Sequence, residues 1–194
     1  MKSSDIIKLR KAMEKELEPK RYEHTLGVAY TAANLAMIHG VDVEKALTAG
    51  MLHDCAKCMS FEKQMAVCTK NHVQLSEAEA MEDSPLIHAK AGSMLAKTKY
   101  GITDEDILNA ISYHTTGRPE MSLLEKIVYI ADYIEPGRKN AENLPQVRRL
   151  AYQNLDDCMR KILGDTLEYL AHKGGRTDTM TQRTYEFYLA GKQH

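Results

Sequence analysis

The sequence predicts an all-α protein that folds as a bundle of helices. Three observations predict this class. Helix start and stop signals follow one another at short intervals, no segment shows the two-residue alternation of a half-buried strand, and the connections between the predicted helices are short. The sequence therefore indicates a helical bundle without a sheet.

Each predicted helix follows from a signal at one of its ends. Small polar residues open most of them, because their side chains accept hydrogen bonds from the first turn. Pro19 stops the first helix and Pro145 opens the ninth, since proline has no N–H to donate. Gly40 and the pair Pro136-Gly137 end the second and the eighth. In chain order we predict helices at about 4–17, 20–39, 42 to beyond 54, 60–71, a short turn from 76, then 84–101, 103–114, 122–135, from 145, 154–173 and 178–189.

Three of these starts carry the pattern of a capping box, in which the first residue and the one three places later satisfy each other's backbone N–H groups. They are Ser76 with Glu79, Thr103 with Asp106, and Ser122 with Glu125. Each pair fixes where a helix begins and which face its first turn presents.

Length and composition indicate one ordinary globular domain over residues 1–194, with a core region at about 20–140 and C-terminal helices at about 145–190. Lysine and arginine number 26 against 27 acidic residues, for a net charge of −1. That balance argues against a nucleic acid polymer or an anionic membrane as partner. Homodimerisation is compatible with the sequence but is not specified by it.

Targeting signals are absent from the sequence pattern. No apolar run approaches the roughly 18–20 residues of a membrane span, and residues 1–20 lack the apolar stretch of a signal peptide. We therefore expect a cytoplasmic protein whose four cysteines are reduced. Cys55 and Cys58 form an isolated C-x-x-C, which we interpret as a pair of structural thiols.

Six imidazole and carboxylate groups stand on apolar helix faces. Any one histidine alone would be interpreted as a core residue, but a buried carboxylate needs a cation or several donors. A set pointing inward from several helices favours a divalent ion between them, and these ligand types suit manganese, iron or zinc. The predicted ligands are His24, His53, Asp54, His88, His114 and Asp132. The set indicates a metal-dependent hydrolase.

The neighbours of these ligands favour phosphate chemistry. Lys57 follows His53 by four residues, so on a continuous helix it shares the ligand face. Arginine forks suit phosphate oxygens, and hydroxyl groups can donate to them. The candidate substrate-binding residues are Lys57, Thr115, Thr116, Gly117, Arg118 and Arg138.

The motifs resemble those of the HD-domain phosphohydrolase superfamily, and more closely its bacterial symmetrical diadenosine tetraphosphate hydrolases. The skeleton of His24, His53-Asp54 and Asp132 carries the superfamily resemblance. The specific segments are 21–28, 52–57, 114–117 and 131–138, and the resemblance extends over about residues 10–189. One departure is Arg183-Thr184, where the family pattern has Arg-Asn, which puts the role of Arg183 in doubt.

The resemblance implies hydrolysis of diadenosine tetraphosphate at its central bridge to two ADP, at a centre of one or two transition-metal ions, iron or alternatively manganese. Two ions about 3.5–4 Å apart would share Asp54 as a bridging and catalytic carboxylate. His24, His53 and Asp132 would complete one position, and His88 with His114 the other. Lys57 and Arg138 would neutralise charge on the phosphoryl oxygens.

Four alternatives stay open at the level of sequence. A nucleotidase acting on mononucleotides would share every ligand, and so would a guanosine tetraphosphate hydrolase, although its frequent additional domains are missing. A cyclic dinucleotide phosphodiesterase would carry Gly-Tyr-Pro where Thr115-Thr116-Gly117 stands. A helical binding module with an inactive core is the alternative from another class.

Overall fold

A computed structural model describes residues 3–82, 84–139, 141, 143–172 and 178–191, and these residues contain helices and connecting turns but no strand. The predicted fold class is confirmed. Lys173, the predicted end of the tenth helix, lies outside the described residues, as does the side chain of Ser4. The helices are α1 Ser3–Glu16, α2 Pro19–His39, α3 Val43–Leu52, α4 Phe61–Lys70, α5 Glu77–Ala80, α6 Ile87–Thr98, α7 Glu105–Ser112, α8 Leu123–Ile134, α9 Leu144–Ala151, α10 Leu155–His172 and α11 Thr179–Ala190.

Helix α2 lies at the centre of the bundle and packs against α3 and α8. The contact with α3 is unusually close, because a Cβ atom placed on Gly50 would lie 2.7 Å from the Cα of Ala29. Fully buried Leu35, Leu52 and Ile127 fill the core around this crossing. The close approach brings the start of α2 and the end of α3 to the same region of the molecule.

The predicted capping boxes at Ser76 and Ser122 are both present, with the serine and glutamate hydrogen bonds in place. The predicted box at Thr103 is wrong. Asp104 caps α7 instead, since its carboxylate accepts from the backbone N–H groups of Asp106 and Ile107. The Asp104 carboxylate can accept from two N–H groups of the first turn that have no partner within the helix, and its negative charge is favoured at a helix N-terminus. It therefore caps α7 in place of Thr103.

The third predicted helix ends earlier than expected. Helix α3 stops at Leu52, and the next residues form successive tight turns, with hydrogen bonds from Cys55 N to Leu52 O (3.1 Å) and from Lys57 N to Asp54 O (2.9 Å). The assumption that His53 and Lys57 share a helix face is therefore wrong. Buried Gln64 of α4 holds this segment by donating from its amide to the carbonyls of Ala56 and Met59 at 3.0 and 3.1 Å.

Two other boundaries shift by a few residues. Helix α6 begins at Ile87 rather than Ser84 and ends at Thr98 rather than Gly101. Pro19, predicted to stop the first helix, occupies the first turn of α2. Across the parts of the chain that the structure describes, no helix combines the length and apolarity required to cross a bilayer.

Helix α9 holds the turn that follows α8. Arg148 donates to the carbonyl oxygens of Ile134 (3.0 Å), Glu135 (3.0 Å) and Arg138 (3.2 Å). One guanidinium thus binds the last carbonyl of α8 and two carbonyls of the turn that follows it. The turn carries Glu135 and Arg138, and both reach the site described next.

Candidate metal centre

The six predicted ligands come together in one cluster. His24, His88 and Asp132 project from α2, α6 and α8, whereas His53, Asp54 and His114 lie in the turns just after α3 and α7. Ligand atoms within 4.8 Å of one another form two overlapping groups, His24, His53 and Asp132, and His53, Asp54 and His114. The convergence expected from the sequence is present, although three of the groups are presented by helix ends rather than helix faces.

The carboxylate of Asp54 lies between two pairs of histidines. Its Oδ2 atom is 3.3 Å from Nε2 of His53 and 3.8 Å from Nε2 of His24. Its Oδ1 atom is 3.1 Å from Nε2 of His88 and 3.6 Å from Nε2 of His114. Each oxygen of one carboxylate therefore faces its own pair of imidazoles, which is the arrangement that a bridging ligand requires.

Three of the imidazoles are oriented by hydrogen bonds at the ring nitrogen away from the cluster. Nδ1 of His53 donates to the carbonyl of Gly50 (2.7 Å), and Nδ1 of His114 donates to that of Ile111 (2.8 Å). Nδ1 of His24 donates to Oε1 of Glu135 (3.1 Å). Since these oxygens only accept, each Nδ1 carries a proton, and Nε2 is the ring nitrogen left to ligate an ion in the cluster.

The Nε2 atoms of His24 and His53 face carboxylate oxygens. Among the described residues, Nε2 of His24 and of His53 is buried without a hydrogen bond. The atoms nearest them in the cluster include carboxylate oxygens, 3.0 Å away for His24 with Asp132. Acceptors this close repel unless a cation lies between them, and nitrogen and oxygen donors of this kind suit a divalent ion. The cluster therefore fits a divalent metal.

The carboxylates are held in their ionised form. Burial raises the pKa of Asp54, but the attraction of the neighbouring imidazoles, His53 first and then His114 and His88, outweighs it, and the pKa lies well below its usual range. For Asp132, burial again opposes ionisation, but the adjacent imidazoles of His24 and His53 outweigh it and lower the pKa. Burial also lowers the pKa of His88 to about 4, which leaves this imidazole neutral near pH 7.

Lys57 lies beside a ligand rather than beside open solvent. Its Nζ atom is 3.2 Å from Nδ1 of His88, and burial lowers its pKa. His88 is thus the one predicted ligand whose outer ring nitrogen faces an amine instead of a carbonyl or carboxylate oxygen, among the contacts of the described residues. The arrangement places a cationic group at the edge of the cluster.

Glu135 supports His24 and was not predicted. Its side chain is buried, and it accepts from Nδ1 of His24 and from the backbone N–H of Gly137. Two glycines leave room for it: a Cβ on Gly27 would lie 2.7 Å from Oε2, and one on Gly137 would lie 2.9 Å from both oxygens. The signal in the sequence is the spacing, since Gly27 follows His24, and Glu135 follows Asp132, by three residues.

Two arginines pair with the two carboxylates of the cluster. Nη1 of Arg21, which was not predicted, lies 2.8 Å from Oδ2 of Asp54. Arg138 binds Asp132 through Nη2 to Oδ1 (2.7 Å) and through Nε to the carbonyl (3.0 Å). The side chains remain 32% and 45% exposed, so both guanidinium groups can also reach a ligand outside the cluster.

The segment after His114 divides between the site and the fold. Thr115 lines a cavity beside the cluster, whereas the buried Thr116 hydroxyl donates to the carbonyl of Gly117 (3.0 Å). Gly117 has a positive φ of 64°. Arg118 forms a two-point pair with Glu125, at 2.6 and 2.9 Å. Of the predicted substrate-binding residues in this segment, Thr115 is the one that lines the cavity.

The helical bundle and its histidine–aspartate cluster define an HD-domain hydrolase, and the model of the HD domain matches residues 21–137. The chain is 37% identical to "Bis(5'-nucleosyl)-tetraphosphatase, symmetrical" of Bacillus subtilis (strain 168), over 92% of this chain and 95% of that protein. It is 39% identical to the protein of the same name from Halalkalibacterium halodurans, over 89% and 91%. The chain belongs to the HD-domain family and, within it, to the family of these symmetrical tetraphosphatases.

A solved structure supports the same assignment. The crystal structure of a "predicted HD superfamily hydrolase involved in NAD metabolism" from Clostridium acetobutylicum superposes with a TM-score of 0.92 at 42% identity, covering 98% of this chain and 99% of that one. The family resemblance inferred from the motifs is confirmed by these comparisons.

Proposed function

We propose that this protein hydrolyses dinucleoside tetraphosphates symmetrically with the help of a divalent metal, and that diadenosine tetraphosphate gives two ADP. The observation that carries the proposal is the buried cluster whose Nε2 atoms face carboxylate oxygens, in a chain that matches the symmetrical tetraphosphatases over most of its length. Cytoplasmic location, a single domain over residues 1–194 and homodimerisation remain predictions.

The arrangement around Asp54 supports two metal positions. His24, His53 and Asp132 would hold one ion with Oδ2, and His88 and His114 would hold the other with Oδ1. A divalent ion bound there lowers the pKa of water and withdraws charge from phosphoryl oxygens. We propose iron as the native metal, with manganese as a substitute, because mixed imidazole and carboxylate ligands suit both.

Cationic groups around the cluster would bind the phosphates. Arg138 and Arg21 each hold a ligand carboxylate with part of the guanidinium and keep the remainder accessible. Lys57 brings an amine to the side of His88, and Thr115 offers a hydroxyl in the adjoining cavity. These groups can neutralise charge on the phosphoryl oxygens and on the departing ADP. Arg118 pairs with Glu125 rather than with a predicted ligand and does not line the adjoining cavity, so we leave it out of this phosphate site.

Product analysis tests the proposal directly. Purified protein is incubated with diadenosine tetraphosphate and iron or manganese, and the nucleotides are separated by chromatography. ADP as the sole product, lost with a chelator and in Asp54→Ala, is the expected result. ATP plus AMP would contradict symmetric cleavage, and absence of turnover with either metal would contradict the assigned activity.

A second candidate follows from the solved relative, which is described as involved in NAD metabolism. NAD is also a dinucleotide joined through phosphates, so the same cluster could cleave its pyrophosphate bridge. The same assay with NAD separates the two functions: release of AMP and nicotinamide mononucleotide, faster than release of ADP from the tetraphosphate, would favour this candidate.

A further inference from the structure

A cavity of about 390 Å³ lies directly beside the metal centre. The ligands His114 and Asp132 form part of its wall, and Tyr129, Tyr133 and Thr166 form another part. Small-molecule sites span about 300–1,000 Å³, so this volume is in the lower part of the range. It suits one nucleoside better than a complete dinucleotide.

Tyr133 is held in place on the wall of this cavity. Its hydroxyl donates to Oδ1 of Asn143 at 3.2 Å. The amide of Asn143 in turn donates to Asp165, and Nζ of Lys161 binds the same carboxylate at 2.7 Å. This chain of contacts ties α8 to α10 and fixes the tyrosine ring before any ligand is present. A ring that is already oriented loses little entropy when a ligand stacks on it.

One part of the cavity wall is polar and another part is aromatic and apolar. Arg138 and Thr115 offer a cation and a hydroxyl near Asp132 and His114. Tyr129 and Tyr133 are four residues apart on α8, so both lie on one helix face, and buried Leu144 adds an apolar contact. A nucleotide has the same division, with charged phosphates at one end and a flat base at the other.

We propose that this cavity holds the nucleoside of the substrate half whose phosphates lie at the metal centre, with Tyr133 as the surface on which the base stacks. The inference rests on the proposed function and adds the residue that contacts the base. Stacking on an aromatic ring accepts every base, because each base has a π-face. The substrates are therefore dinucleoside tetraphosphates in general, those containing guanosine as well as those containing adenosine.

Competitive inhibition isolates the base contact. ADP and inorganic pyrophosphate share the diphosphate, and only ADP carries a nucleoside. In the metal-loaded enzyme with metal in excess, Tyr133→Leu should weaken inhibition by ADP and GDP at least about tenfold, as expected for loss of one stacked base. Inhibition by pyrophosphate should stay unchanged, and KM for diadenosine tetraphosphate should rise while kcat is retained.

Two matched variants complete the design. Tyr133→Phe keeps the ring for stacking and removes the hydroxyl that contacts Asn143, so inhibition by ADP should be clearly stronger than in Tyr133→Leu and at most slightly weaker than in the unaltered enzyme. Tyr169→Leu alters a tyrosine of the neighbouring cavity, of about 590 Å³, and should leave all constants unchanged. The proposal would be overturned if Tyr133→Leu weakened inhibition by ADP and by pyrophosphate equally, or weakened neither.

This design also separates the two levels of inference. If the unaltered enzyme does not cleave diadenosine tetraphosphate, the proposed function fails, and calorimetric binding of ADP and pyrophosphate still tests the cavity. If cleavage is present and Tyr133→Leu binds ADP normally, the function stands and the nucleoside site is wrong.

Discussion

Replacing Gly27 by alanine should weaken metal binding without touching a ligand. The added Cβ would lie 2.7 Å from Oε2 of Glu135, closer than carbon and oxygen approach without a bond. Glu135 cannot retreat freely, because the Gly137 backbone and His24 hold its carboxylate. The expected result is loss of the 3.1 Å hydrogen bond that orients His24. Loss of such an outer contact costs about 10–100-fold in metal affinity, or about 1.4–2.8 kcal/mol.

Helix propensity alone predicts the opposite direction, because alanine in place of glycine inside a helix normally stabilises the folded protein by about 1 kcal/mol. A loss of metal affinity in Gly27→Ala would therefore not come from a weakened helix. Calorimetric titration with manganese, beside thermal unfolding of the metal-free protein, separates the two contributions. Gly92→Ala is the matched control, since its Cβ would meet its nearest neighbour at an ordinary 3.5 Å. Manganese affinity in Gly27→Ala within twofold of the unaltered protein would refute the role assigned to Glu135.

Four further predictions follow from the same structure. Asp54→Ala should lose bound metal and ADP formation together, whereas Lys57→Ala should keep its metal, measured by elemental analysis, and turn over more slowly. Gly117→Ala should lower the free energy of unfolding in urea by about 1–3 kcal/mol, because the backbone φ is +64° and the Cβ would lie 2.8 Å from a methyl group of α11. Arg148→Ala should cost about 2 kcal/mol in the same assay, since three carbonyls lose a charged donor. A thiol reagent at mildly alkaline pH should label Cys58 alone in the native protein, because burial raises the pKa of the other three thiols to about 11 or 12; rapid labelling of all four would contradict this.

The fold and the convergence of the six side chains could be predicted because both depend on local patterns. A capping box such as Ser122 with Glu125 is complete within four residues, and a histidine on an apolar stripe is visible from its neighbours alone. The end of α3 could not be predicted in the same way. Nothing local forbids a helix through His53, and the chain leaves it because α4 offers Gln64 to the carbonyls that the turns expose.

The pairing of Glu135 and Arg21 with the predicted ligands could not be predicted from the sequence for a related reason. Glu135 meets His24 across 111 positions of chain, and Arg21 meets Asp54 across 33. Arg118 illustrates the same point, since its partner Glu125 is seven residues away and only the packing shows that the two side chains form a two-point pair. The residue types indicated that charged groups lie at the site, but only the packing of the helices shows which partner each charged side chain binds.

The contact between Gly50 and Ala29 has a consequence for anyone who wishes to move this site into another scaffold. His24 lies on α2 and His53 directly follows the end of α3, and these helices approach closely at Gly50, so the missing side chain there helps to set the separation of the two predicted ligands. Grafting the six predicted ligands alone would transfer the donor groups without the close helix crossing that sets the distance between two of them. A scaffold that receives His24 and His53 must therefore keep the crossing of α2 and α3, in which Gly50 has no side chain and its carbonyl accepts from Nδ1 of His53.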